Sequence, residues 1–169
     1  QKLSFSQNEI NINGHSIECR INAENSKTFI PSPGTIKYFH QPAGLGVRVE
    51  SAIYQGYKVP PHYDSMIAKL ITYGKNRNEC ILKMQRALEE YIIVGVDNTI
   101  QLHQDIINDP KFKSGDYNIN FMNEFRQFFQ YVYTNLQSTT RIESDKVHDN
   151  MKDLYSIIQN ESVKKALPT

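Results

Sequence analysis

Gly14-His15-Ser16-Ile17-Glu18-Cys19-Arg20-Ile21-Asn22-Ala23-Glu24 is the stretch that decides the fold. In an extended strand the side chains alternate between faces, so Ile17, Cys19 and Ile21 fall on one side and Glu18, Arg20 and Asn22 on the other. One face is apolar and suited to a core, whereas the other is charged. An arginine there keeps its proton and holds its donors in a planar fork, which suits an anionic oxygen. The same residues also fit a half-exposed Arg20–Glu18 ion pair on a solvated sheet face, so the stretch alone leaves both readings open.

Working outward from this strand, Ile10 and Ile12 alternate weakly over residues 9–13, and Asn13-Gly14 is a strong turn signal, so a hairpin is expected before Arg20. Downstream, Pro31-Ser32-Pro33-Gly34 is a loop, because both prolines lack a donor. Residues 35–40 read as one strand, with Ile36, Tyr38 and His40 alternating against Lys37 and Phe39. A turn over 41–46 leads to a second strand over 47–53, with Val47, Val49 and Ser51 on one face. Val59-Pro60-Pro61-His62-Tyr63-Asp64 is a stiff, extended approach. It leads to an apolar run over 66–73, broken by Lys69 and closed by Gly74, which is expected to cross the middle of the sheet.

From Asn76 the period becomes helical. Asn76 and Glu79 have capping-box spacing, and Cys80, Met84, Ala87, Leu88 and Tyr91 recur on one face of a helix expected to end near Gly95. A second helix is expected over 99–108, with Leu102, Ile106 and Ile107 inward and Pro110 forbidding continuation. A third is expected from Ile119, with Phe121, Phe125, Phe128 and Phe129 at core-like spacing. Residues 137–149 read as a linker and 151–163 as an amphipathic helix. Strands first and helices after predict an α+β fold, an antiparallel sheet packed with about three helices and an additional helical tail.

The chain has 169 residues, enough for one domain with an appendage. Its 19 basic and 18 acidic side chains give a net charge of +1 without a long single-sign run, so nucleic acid is not an expected partner. Cys19 and Cys80 lie far apart and lack metal or disulfide spacing, which fits a reducing compartment. There is no apolar run of bilayer length and no signal-peptide pattern, so no membrane partner is expected. The opening at Gln1 reads as part of a longer chain.

The five histidines occur singly, and no metal site is expected. Gly44-Leu45-Gly46 leads into a strand, not a helix, and so is not a phosphate cradle. No serine or cysteine has a nucleophile's context, and Cys19 falls on the apolar face. Asp64 either grips an arginine through a bidentate pair or caps the turn through Ser65.

Four ordered motifs, His15-Ser16-Ile17-Glu18-Cys19-Arg20-Ile21-Asn22-Ala23-Glu24, Phe29-Ile30-Pro31-Ser32-Pro33-Gly34, Gly46-Val47-Arg48-Val49-Glu50 and Tyr63-Asp64-Ser65-Met66-Ile67-Ala68-Lys69-Leu70, resemble the C-terminal domain of biotin carboxylase. The likeness continues through Tyr73-Gly74, Asn76-Arg77, Gly95-Val96, Asn98-Thr99 and Asn118-Ile119. It implies such a domain over residues 1–129, followed by a linker and helical tail of unknown role over 130–169.

The resemblance further implies a parent ATP-grasp ligase that makes carboxyphosphate from bicarbonate and ATP, with Mg2+ or Mn2+, and carboxylates biotin on a carrier protein. Nucleotide and metal would be held outside this chain, leaving the fragment inactive alone. The implied partners are the biotinylated carrier, a carboxyltransferase component and a second copy in a homodimer. The implied location is the cytoplasm in a bacterium, or a mitochondrion or plastid in a eukaryote.

By the same resemblance, Arg20 is the catalytic and biotin-binding residue, approaching the ureido oxygen, with Glu18, Asn22 and Asp64 as supporting candidates. Leu45 and Arg48 match homodimer positions, although the family usually has phenylalanine where Leu45 stands. Two alternatives remain: a non-catalytic module for dimerisation or carrier docking, and the corresponding domain of another ATP-grasp ligase.

Overall fold

The computed structural model describes residues 3–127. They divide into one unit ending at Tyr117 and a second starting at Asn118. In chain order the strands are β1 (His15–Asn22), β2 (Gly34–Thr35), β3 (Tyr38–His40), β4 (Val47–Ser51), β5 (Lys58–Val59), β6 (Met66–Gly74) and β7 (Ile92–Val94), and the helices are α1 (Arg77–Glu90), α2 (Ile100–Asn108) and α3 (Pro110–Ser114). The architecture is α+β with antiparallel sheets, as the order of elements predicts.

The main sheet has the order β1-β6-β4, with the apolar run of β6 in its centre. Its register sets Ile17 opposite Thr72, Cys19 opposite Leu70 and Ile21 opposite Ala68, while Val47 and Val49 flank Thr72 and Leu70 from the other side. These residues share one core with Cys80, Ile81, Met84, Ala87 and Leu88 of α1. Leu70, Met84 and Leu88 are fully buried, and each such side chain contributes about 2 kcal/mol through removal from water.

α1 starts where Asn76 Oδ1 accepts the Glu79 amide at 2.9 Å. The Glu79 carboxylate closes a related loop by accepting the Lys75 amide at 3.0 Å. Thr72 Oγ1 donates to the Cys80 carbonyl at 3.2 Å, tying the centre of the sheet to the first turn of α1.

Three local expectations are overturned. Among the described residues no strand precedes β1: Gln7–Glu9 is a single 3-10 turn, Ile12 is 95% exposed, and the partner of β1 is the distant β6. Gly14 does turn the chain, at φ +82°, but an added Cβ would run into the Tyr73 ring, so the glycine admits that side chain and closes no hairpin.

Residues 35–40 form two strand pieces, because β2 pairs with β5 and β3 pairs with β7. At the changeover the Ile36 amide donates to the Tyr57 carbonyl at 2.9 Å and the Lys37 amide to the Val94 carbonyl at 2.7 Å. Changing partner shifts the alternation: Ile36 is buried, and Phe39 then packs on the core while Tyr38 and His40 face outward.

α1 stops at Glu90, short of Gly95, since the β-branched Ile92-Ile93-Val94 is taken up as β7 against β3. Gly95, at φ +115°, is needed where a Cβ would overlap the Thr35 carbonyl oxygen. Pro110 ends α2 but also opens α3 at its first position, where the missing amide is harmless. Asp109 caps that turn, its Oδ1 accepting the Lys111 amide at 2.8 Å and the Phe112 amide at 3.1 Å. In α2 the buried residues are Ile100 and Ile107, with Leu102 and Ile106 half-buried.

In the second unit, residues 121–127 are helical, and the Phe121 and Phe125 rings stack with centroids 5.5 Å apart. Phe128 and Phe129, the boundary between 129 and 130, the linker at 137–149 and the helix at 151–163 lie outside the described residues. No helix among the described residues is long and apolar enough to cross a membrane.

Candidate functional site

The face of the main sheet turned away from the core carries two rows across three strands. Glu18 stands opposite Ile71, which stands opposite Arg48; Arg20 stands opposite Lys69, which stands opposite Glu50. Arg20 and Lys69 are like charges directly across a ladder, an unfavourable arrangement that a carboxylate relieves on each side. Arg20 Nε donates to Glu18 Oε1 at 3.3 Å, and Lys69 Nζ lies 4.0 Å from Glu50 Oε2, while Glu50 Oε1 pairs with Arg48. The Arg20 side chain is 70% exposed. Its two terminal nitrogens make no hydrogen bond among the described residues, so the fork is open to an approaching oxygen.

Beneath the exposed side chain the main chain is tightly held. Arg20 and Asn22 present their backbone groups to the outer edge of β1, where the start of α2 meets them. His103 Nε2 donates to the Arg20 carbonyl at 2.8 Å, and Thr99 Oγ1 donates to the same oxygen at 3.4 Å. Thr99 Oγ1 accepts the Asn22 amide at 2.9 Å, and the Thr99 amide donates to the Asn22 carbonyl at 3.1 Å. A carbonyl only accepts, so His103 carries its proton on Nε2. Burial holds its pKa below the ordinary value of 6.5, opposed by the bond to the Arg20 carbonyl.

The other candidates sit nearby without bonding Arg20. Asn22 Nδ2 donates to Glu24 Oε1 at 3.1 Å, and the Ser65 hydroxyl donates to the same carboxylate oxygen. Asn22 Oδ1 is buried and takes no hydrogen bond among the described residues. Asp64 Oδ1 accepts the Met66 amide at 2.8 Å, capping the entry to β6. Leu45 is 94% exposed in the turn before β4, and that turn is moored to α1 by Arg86 Nη2 donating to the Ala43 carbonyl at 3.0 Å.

Cys19 is buried on the core face as its position in the alternation requires. Burial pushes its thiol up to about 12, so it has no thiolate to offer as a nucleophile. Among the described residues no three His, Cys, Asp or Glu side chains gather as a metal site.

Lys69, Thr99 and His103 beside Arg20, and Glu24 and Ser65 beside Asn22, are not singled out by the sequence. Lys69 was discoverable, because a cation interrupting an apolar strand must face away from the core. Thr99 and His103 share one face of a helix start, being four residues apart, but nothing local says that the face meets β1.

The family model of the biotin carboxylase C-terminal domain matches residues 18–124. The chain is similar to a biotin carboxylase of Haemophilus influenzae, 55% identical over 120 residues, which covers 71% of this chain and 27% of the relative. It is also similar to biotin carboxylase 1 of Bacillus subtilis, 53% identical over 125 residues, covering 73% of this chain and 28% of the relative. Among solved structures it resembles the biotin carboxylase domain dimer of a 2-oxoglutarate carboxylase from Hydrogenobacter thermophilus, in complex with MgADP, ADP and bicarbonate. That likeness has a TM-score of 0.69 and 45% identity, covering 73% of this chain and 28% of that one. The chain thus spans about a quarter of the length of the relatives it matches.

Proposed function

The chain belongs to the biotin carboxylase C-terminal domain family, and from that premise we propose that it supplies the biotin-facing wall of an enzyme that uses ATP and bicarbonate to carboxylate biotin on a carrier protein. The single observation that carries this reading is the Arg20 guanidinium, exposed on the outer sheet face with both terminal nitrogens unbonded among the described residues while its main chain is fixed from below. Those donors fit a ureido oxygen.

The overall reaction has two steps. Bicarbonate takes the terminal phosphoryl group of ATP to give carboxyphosphate and ADP. The biotin ureido nitrogen then loses its proton and takes the carboxyl group, releasing phosphate. When that proton leaves, negative charge moves onto the ureido oxygen. A guanidinium already aimed at that oxygen stabilises the charge without reorganising, which is the source of electrostatic catalysis. A lysine offers a point charge on a flexible stem and lacks the fork. Lys69, across the ladder from Arg20, adds a further cation beside it on this face.

ATP and its Mg2+ or Mn2+ are held by parts of the enzyme outside this chain, and the fragment alone does not turn over. The H. thermophilus relative is a dimer bound to MgADP and bicarbonate, which supports both the nucleotide and the homodimer. Leu45 and Arg48 are the residues of this chain that meet the second copy. A carrier and a carboxyltransferase complete the system, and the latter chooses the final acceptor.

The test is Arg20→Lys in the full-length carboxylase. The expected result is a fall in kcat for biotin carboxylation of about 100-fold, the scale of losing one preorganised oxyanion donor, with the KM for ATP unchanged. An unimpaired kcat rules the assignment out. Leu45→Asp tests the dimer contact separately, shifting the enzyme toward monomer in sedimentation.

A further inference from the structure

Thr99 is the residue that ought to cap α2, and its side chain makes no cap hydrogen bond there. A threonine cap stabilises a helix by about 1 kcal/mol, yet this hydroxyl is turned onto β1, donating to the Arg20 carbonyl and accepting the Asn22 amide. Asn98 takes over part of the cap by accepting the Ile100 amide at 3.2 Å. One helical turn later His103, whose own amide is bonded to the Thr99 carbonyl, brings a ring nitrogen to the same Arg20 carbonyl at 2.8 Å. Four hydrogen bonds from two residues therefore close the outer edge of β1 at Arg20 and Asn22. A register irregularity falls between Ile21 and Asn22, so this is where the ladder to β6 is least able to hold the strand alone.

Resting on the Arg20 reading above, we infer that Thr99 and His103 are positioning residues that lock the main chain of β1 and so aim the Arg20 guanidinium at the ureido oxygen. Among the described residues the side-chain partner of Arg20 is Glu18, through a well-exposed pair, and such pairs do little to fix geometry. The side-chain hydrogen bonds of Thr99 and His103 run to the main chain of β1, so their role needs no contact with biotin or the reacting atoms. They act by removing freedom from the backbone that carries the arginine, and a small misplacement of a catalytic group lowers the rate steeply.

The test uses the full-length carboxylase with His103→Phe, which keeps a flat ring without a donor, and His103→Gln, which keeps an N–H. Arg20→Lys is measured alongside. For His103→Phe the expectation is a kcat for biotin carboxylation about tenfold lower, the weight of one hydrogen bond expressed wholly in the rate, with an unchanged KM for ATP. His103→Gln is expected to recover most of that loss. Amide hydrogen exchange in residues 20–22 should quicken in His103→Phe and stay near the starting rate in Arg20→Lys. Where His103→Phe does not fold, Thr99→Val against the hydroxyl-bearing Thr99→Ser tests the same point.

Full kcat in His103→Phe beside a damaged Arg20→Lys enzyme overturns the clamp and leaves the Arg20 reading standing. A His103→Gln enzyme as slow as His103→Phe also overturns it, as does unaltered exchange at residues 20–22. An unimpaired Arg20→Lys enzyme overturns the Arg20 reading itself, and the clamp with it.

Discussion

The two faces of the β1-β6-β4 sheet are made by the same strands and held by opposite means. On one face Ile21, Leu70 and Thr72 have no exposed surface, and burial against α1 sets their positions. On the other, Glu18, Arg20, Arg48 and Glu50 lie in water, in ion pairs worth about 0–1 kcal/mol each. Strand alternation ties the faces together, because Arg20 sits between the buried Cys19 and Ile21. An exposed arginine can therefore be well placed without being well packed, provided that the main chain under it cannot move.

Breaking the buried face should have the largest effect. Leu70→Ala in the parent carboxylase is expected to destabilise by about 2–5 kcal/mol, the range for emptying a core leucine site. A lowered urea midpoint, with carboxylation lost in parallel, would be the sign. Gly95→Ala comes next, at roughly 1–3 kcal/mol, because it puts a Cβ against the Thr35 carbonyl in a left-handed conformation. Its effect should appear in the same unfolding experiment.

His103 gives a smaller, pH-dependent effect with a definite sign. Its folded-state pKa lies below the ordinary 6.5, so below that pH the unfolded chain binds a proton that the folded chain refuses. Its contribution to stability is full above 6.5 and declines as pH falls toward the folded value. The unfolding midpoint should drop on acidification, less steeply in His103→Gln. Smallest of all, Glu18→Gln on the open face should change stability by less than about 1 kcal/mol in that measurement.

The features legible in the sequence were those a periodicity can carry. Ile17, Cys19 and Ile21 sit two apart and are buried, and the run at 66–73 crosses the centre of the sheet. Asn76 caps α1, and Cys80, Met84, Ala87 and Leu88 line its inner face. Arg20 could be assigned to the open face, and the role proposed for it rests on ordered motifs. What escaped depends on distant partners. Asn13-Gly14 looked like a hairpin because the true partner of β1 is β6. Residues 35–40 looked like one strand because an exchange of β5 for β7 as partner leaves no local mark. Gly95 looked like a helix end because its close neighbour, Thr35, is remote in sequence. Thr99 and His103 escaped for the same reason, since a hydroxyl diverted from its own helix looks like any other cap.

On the proposed function, the guanidinium of Arg20 acts on the reaction while its exposed ion pair with Glu18 does not hold it there. That assignment is tested most directly by comparing kcat for biotin carboxylation in Arg20→Lys and Glu18→Gln versions of the full-length enzyme. A loss of about 100-fold is expected in the first and, in the second, a change of no more than about fivefold, the limit set by an exposed pair. Equal losses in the two enzymes would contradict it, placing the positioning of Arg20 in the ion pair, and an undiminished Arg20→Lys enzyme would remove Arg20 from the chemistry.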